Sequence, residues 1–213
     1  MKNKSYKIKN IMKKTLLTIL ALTAAFVGAK AQEVHKDWYE IDEVTVYKTL
    51  DIKDYQHLYI LPIKESGLVI TGKPNEVAKM RKAIDEFRGL IKKQFDKHFG
   101  WLDVQIVENL PGNLDSKSLV LNLDIVSFDQ GSRAARAWGG FGAGAQSTEL
   151  AGTCKDGNSV NIFKFKHRRL NSAMGQLSND YYPVIVKTER VLGNDICNIF
   201  NAMAGRKATK PVK

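Results

Sequence analysis

Apolar residues recur along the chain with two different periods, and the changes of period divide it into elements. Ile41, Val44 and Val46 mark a first strand within residues 38–48. His57-Leu58-Tyr59-Ile60-Leu61-Pro62-Ile63 reads as a second, with Pro62 requiring an edge position or a strand end because proline has no N–H to give a neighbour. Leu68-Val69-Ile70 is a short apolar run without a clear period. From Pro74 the spacing changes: Val77, Met80, Ile84, Phe87, Ile91 and Phe95 follow at steps of three and four, one stripe of a helix that Gly100 ends. Leu102, Val104 and Ile106 alternate as a strand, and Pro111-Gly112-Asn113 turns the chain. Leu119, Leu121, Leu123 and Ile125 share one face of a longer strand.

Asp156-Gly157 between two apolar runs predicts a hairpin, with Thr148, Leu150 and Cys154 leading in and Val160, Ile162, Phe163 and Phe165 returning. The parity slip between Ile162 and Phe163 predicts a bulge. A second helix runs from about Pro183 to Met203, its buried side formed by Val184, Ile185, Thr188, Val191, Leu192, Ile196, Ile199 and Phe200. The order β-β-α-β-β-β-β-α predicts a single α+β domain: a mixed or antiparallel sheet of five to six strands with two main helices on one face.

The first 31 residues stand outside this pattern. Six lysines and no acid occupy residues 1–14, residues 15–28 are apolar and uncharged, and Ala29-Lys30-Ala31 follows. Basic, apolar, then small-x-small is the order of a cleavable secretion signal, and the apolar run is too short for a membrane span, which needs about 20 residues. A short membrane anchor is the other reading. Met12 is an alternative start. The chain therefore divides into a signal at 1–31, a domain at 32–204 and a basic tail at 205–213, read as disordered, and the mature protein is expected in the periplasm or outside the cell. Peripheral contact with the outer membrane fits the same reading.

Charge looks different once the signal is removed. The formal +11 falls to about +4, because residues 1–31 hold seven lysines and no acid, leaving 26 basic against 22 acidic residues. That balance does not predict a nucleic-acid partner. Four of the remaining positive charges lie in residues 205–213, which could touch an anionic membrane or lipopolysaccharide. Cys154 and Cys197 are the only cysteines; in an oxidising compartment they either pair or remain two buried thiols.

Residues 131–145 fit neither period, with five glycines and five alanines and little side chain to bury. Gly131-Ser132-Arg133-Ala134-Ala135-Arg136 leads into Gly140-Phe141-Gly142-Ala143-Gly144. This stretch resembles the signature of family 4410 of the domains of unknown function, small bacterial envelope proteins of which many are lipoproteins. Gly131, Ser132, Arg133, Arg136, Gly140, Phe141, Gly142 and Gly144 match directly, Asp156-Gly157 matches a later turn loosely, and the likeness extends over residues 40–204. The resemblance implies an envelope compartment and an intact domain, and no activity. The chain departs from the lipoproteins in having Gln32 where a lipid-acceptor cysteine would stand.

Three physical readings of that segment stay open. Arg133 and Arg136, with glycine N–H groups forming a concave nest, could hold a phosphate or carboxylate of an envelope glycan. Trp138 and Phe141 could anchor a contact surface for an envelope protein or for a second copy. The glycines could instead mark a close backbone crossing where only glycine fits. Their G-G-x-G-x-G spacing is not a dinucleotide fingerprint.

Other chemistry gives no pattern. His35, His57, His98 and His167 are scattered singly, without metal spacing. No nucleophile elbow or phosphate loop is present, so no cofactor and no catalytic residue is assigned. Lys164, Lys166, His167, Arg168 and Arg169 read as the outer face of a strand. The expectation is an accessory or interaction protein of the cell envelope, with an anion-binding module and an uncharacterised hydrolase as the competing classes.

Overall fold

A computed structural model describes residues 33–38, 40–131, 144–171 and 182–211. The signal predicted at 1–31 lies outside them. Seven strands, β1 (Glu33–Trp38), β2 (Ile41–Val46), β3 (His57–Ile60), β4 (Asp103–Ile106), β5 (Ser118–Asp129), β6 (Gln146–Asp156) and β7 (Asn161–Asn171), form one sheet in the order β1-β2-β7-β6-β5-β3-β4. β3 runs parallel to both β4 and β5, whereas the remaining pairs are antiparallel. The sheet is therefore mixed, and has seven strands rather than five or six. The additional strand is β1, Glu-Val-His-Lys-Asp-Trp. It is an edge strand paired on one side only, and its sequence, half of it charged, carries no sustained apolar alternation.

The first predicted helix is interrupted once, giving α1 (Pro74–Asp85) and α2 (Phe87–His98). At Glu86 the N–H is shared between the carbonyls of Lys82 and Ala83, at 3.2 and 3.1 Å, so the apolar stripe continues across the break. Met80, Ile84, Phe87, Ile91 and Phe95 are all buried. α3 (Tyr182–Met203) matches the second predicted helix. Pro62 lies just beyond β3, the strand-end alternative. The predicted bulge is present: Cys154 pairs with Phe163 and Lys155 with Asn161, so Ile162 is skipped, and its carbonyl accepts from the N–H groups of Tyr47 and Lys48 instead.

The alternation in the strands decides which face meets the helices. Leu119, Leu121, Leu123 and Ile125 of β5, Leu150 and Cys154 of β6, and Phe163 and Phe165 of β7 join one apolar cluster with the helices. Phe200 of α3 sits edge-on to Phe95 of α2 at 5.3 Å and to Phe163 of β7 at 5.1 Å between centroids, so sheet and both helices meet there. Gly193 allows α2 and α3 to approach: a Cβ there would lie 3.3 Å from the Ile91 Cα. A local weakness in α3 thus becomes a packing contact.

The segment after α3 is not loose as far as Thr209. Its backbone folds back at Gly205 and is bonded to asparagines of α3, because those buried side chains need polar partners.

Candidate functional site

Of the residues singled out in the glycine-rich segment, Arg133, Arg136, Trp138, Gly140, Phe141 and Gly142 lie outside the described residues. Its two ends are described. Gly131 and Gly144 close the β5–β6 hairpin, both in the left-handed region at φ 72°, where glycine carries no Cβ penalty. They also touch: a Cβ on Gly131 would lie 2.3 Å from the Gly144 carbonyl oxygen. Close backbone approach is therefore the reason for glycine at this neck.

Side chains fix the neck on both sides. Asp129 Oδ1 accepts from the Gly131 N–H at 2.8 Å. Gln130 exchanges two bonds with Thr71 in the loop before α1, accepting from its N–H at 3.2 Å and donating to its hydroxyl at 3.0 Å. On the β6 side Gln146 is fully buried; its Nε2 donates to Thr148 and its Oε1 accepts from Thr188 of α3, each at 2.8 Å. Asn171, at the end of β7, donates to the Val184 carbonyl at 3.1 Å. Gln146, Thr148 and Thr188 are buried and paired with one another, which is what holds a polar cluster in one arrangement. Gly131→Ala is expected to lower stability by about 1–3 kcal/mol in urea unfolding, from left-handed strain plus the steric conflict. Gly205→Ala, also at positive φ but with no neighbour within 4 Å, is expected to cost about 1 kcal/mol.

A second polar cluster was hidden in the basic run of β7. Strand alternation sends Lys164, Lys166 and Arg168 outward and turns His167 and Arg169 toward α3. Arg169 grips Asp195 of α3 with two bonds, Nε at 2.7 Å and Nη2 at 2.9 Å, and reaches Glu40 at 3.0 Å. His167 stands between two carboxylates, Nδ1 3.2 Å from Asp42 and Nε2 3.3 Å from Asp195. Asp42 also accepts from the Arg168 N–H at 2.7 Å. Asp195, hydrogen-bonded and nearly buried beside it, pushes the Arg169 guanidinium further up from its ordinary range. Arg169 thus ties β7 to α3, and His167 Nδ1 ties β7 to β2, while His167 Nε2 makes no hydrogen bond among the described residues. The sequence did carry a signal for it: His167 and Arg169 share parity with Phe163 and Phe165.

Cys154 and Cys197 are both buried, with free thiols in this structure. Burial pushes both thiols up from their ordinary range, aided by Asp156 near Cys154 and by Asp195 near Cys197. The native protein is therefore expected to resist a thiol-specific chromogenic reagent, with both thiols titrating only in denaturant; fast labelling of the native state would contradict the burial. Among the described residues no group of three or more His, Cys, Asp or Glu side chains is placed to hold a metal ion. No helix among them is long and apolar enough to cross a membrane.

Comparison with known proteins gives one family and partial similarity to solved structures. Two crystal structures of the PelC dodecamer from Paraburkholderia phytofirmans, one of them a single-substitution variant, are similar in part. The variant has 14% identity and a TM-score of 0.37, covering 68% of this chain and 92% of that one. The other has 12% identity and a TM-score of 0.36, covering 68% and 94%. No curated protein matches. The model of the domain of unknown function DUF4410 matches residues 40–180, a span that takes in β2 to β7, the pinched glycine neck and the paired His167 and Arg169; the chain belongs to the DUF4410 family.

Proposed function

We propose that this protein is an exported, non-enzymatic interaction module of the bacterial cell envelope, with residues 131–145 as its contact surface. The observation that carries the reading is the neck. A segment with almost no side chain to bury leaves and re-enters the sheet through two touching left-handed glycines. Both ends are fixed by hydrogen bonds to α3 and to the loop before α1. Trp138 and Phe141 supply its large apolar groups.

Three measurements test this reading. The protein recovered from the envelope fraction is expected to begin at Gln32; an uncleaved amino terminus on cytosolic material would contradict export. Light scattering on the processed protein, or crosslinking in intact cells, is expected to show self-association or one envelope partner, lost in Trp138→Ala and Phe141→Ala while the melting temperature is unchanged. A monomer that captures nothing, in the unsubstituted protein, would remove the contact-surface reading. Retention on lipopolysaccharide that Arg133→Ala and Arg136→Ala abolish would assign the segment to anion binding instead.

A further inference from the structure

The last turns of α3 are buried on their polar side as well as their apolar side. Asn194 and Asn198 are 2% and 5% exposed and four residues apart, hence on one face of the helix. What covers them is an extended piece of the chain's own backbone. At Gly205, φ 65°, the chain reverses: the Gly205 N–H donates to the Ala202 carbonyl at 3.0 Å and the Arg206 N–H to the Asn201 carbonyl at 2.8 Å. Arg206 is held beside Asp51 at 2.7 Å and over the Trp101 ring at 5.7 Å, and the segment then runs back along the helix.

Thr209 is the residue the asparagines read. Its N–H donates to Asn198 Oδ1 at 2.8 Å. Its carbonyl accepts from Asn194 Nδ2 at 3.0 Å and from Asn198 Nδ2 at 3.2 Å. Its hydroxyl lies 3.0 Å from Asn198 Oδ1 and 3.2 Å from Asn194 Oδ1. The neighbours Ala208 and Lys210 are exposed. The two carboxamides thus recognise peptide N–H, peptide C=O and one hydroxyl. This is the chemistry of capturing an extended chain with little regard to sequence beyond a Ser or Thr. Without such a segment the same amides would lose their partners on a face packed for one.

We propose that Asn194 and Asn198 form a docking slot for an extended polypeptide segment bearing Ser or Thr, and that residues 205–211 occupy it in cis. The slot is independent of the reading of residues 131–145. The tethered segment competes with an incoming one at an effective concentration in the millimolar range, so it acts as a built-in block.

The probe is a fluorescently labelled peptide spanning Gly205–Lys213, titrated against the full chain by anisotropy. Thr209→Pro, which removes both the N–H and the hydroxyl, opens the slot in the protein. The peptide is expected to bind the Thr209→Pro protein, and the unsubstituted protein about tenfold more weakly because its own segment competes. A peptide carrying Thr209→Val is expected to bind about fivefold more weakly, from loss of the hydroxyl bonds. Adding Asn198→Ala to Thr209→Pro is expected to abolish binding. Equal affinity for the open and unsubstituted proteins, binding that survives Asn198→Ala, or no binding to an open protein that still melts cooperatively would each overturn the slot. Should Thr209→Pro unfold the chain, ending the chain after Lys207 empties the slot and the same comparisons apply.

Discussion

Asp195→Ala is expected to lower the unfolding free energy by about 3–5 kcal/mol, the cost of stripping a buried ion pair of one partner. The mutation leaves Arg169, paired with the β1–β2 turn only through Glu40, and His167 with one carboxylate instead of two. Arg169 keeps only partial access to water, its side chain being 25% exposed, so water replaces the lost carboxylate incompletely. Arg169→Ala is expected to cost at least as much, since it strips the nearly buried Asp195 carboxylate of both its guanidinium bonds. Replacing both, as Asp195→Leu with Arg169→Met, is expected to recover most of the loss, because an apolar pair of similar volume carries no desolvation cost. Urea unfolding of the three variants measures this, and adding Asp195→Leu and Arg169→Met as single variants completes the double-mutant cycle that isolates the coupling. If Asp195→Ala cost less than about 1 kcal/mol, the network would be solvated in solution and the clasp between β7 and α3 would not exist.

That cluster also shows where sequence patterns stop being informative. Periodicity located β2 to β7 and the long helices because each of them buries one continuous apolar face, and burial is what imposes a period. It even located the bulge at Ile162, since skipping one residue moves the next apolar side chain to the other face. β1 was missed because an edge strand with solvent on one side needs no such face, and Glu33–Trp38 is held by backbone pairing to β2. Composition alone sends all five basic residues of 164–169 outward, whereas parity turns two of them, His167 and Arg169, inward. Asn194 and Asn198 were passed over for a similar reason. A buried polar side chain is recognisable only through its partner, and their partner, Thr209, is more than ten residues away in a segment without any period. The neck at Gly131 and Gly144 was legible as a concentration of glycine, but the contact between them depends on β5 and β6 being antiparallel neighbours.

Glu189 gives the other large effect, and with the opposite sign. It lies on α3, 1% exposed, facing the junction of α1 and α2, and its Oε2 has no hydrogen-bond partner among the described residues. Burial holds its carboxyl well above the usual carboxylate range, and the charges of Glu86 and Asp85 add to the shift. A raised folded-state pKa means that the folded chain binds a proton the unfolded chain has already released. The stabilisation this gives is complete below the unfolded value of about 4.3, and it is lost as pH rises toward the folded one, at up to about 1.4 kcal/mol per pH unit. Between that unfolded value and neutral pH the unsubstituted protein progressively gives up that contribution. Glu189→Gln is uncharged in both states and loses nothing over the same range. The variant is therefore expected to be more stable than the unsubstituted protein at pH 7, by about 1–3 kcal/mol, and the gap is expected to close as pH falls toward 4. Paired urea titrations between pH 4 and pH 8 read the difference directly, so other titrating groups cancel. Parallel curves would mean that Glu189 is ionised and solvated in the folded protein, and α3 would then have to sit further from α1 and α2 than its packing here requires.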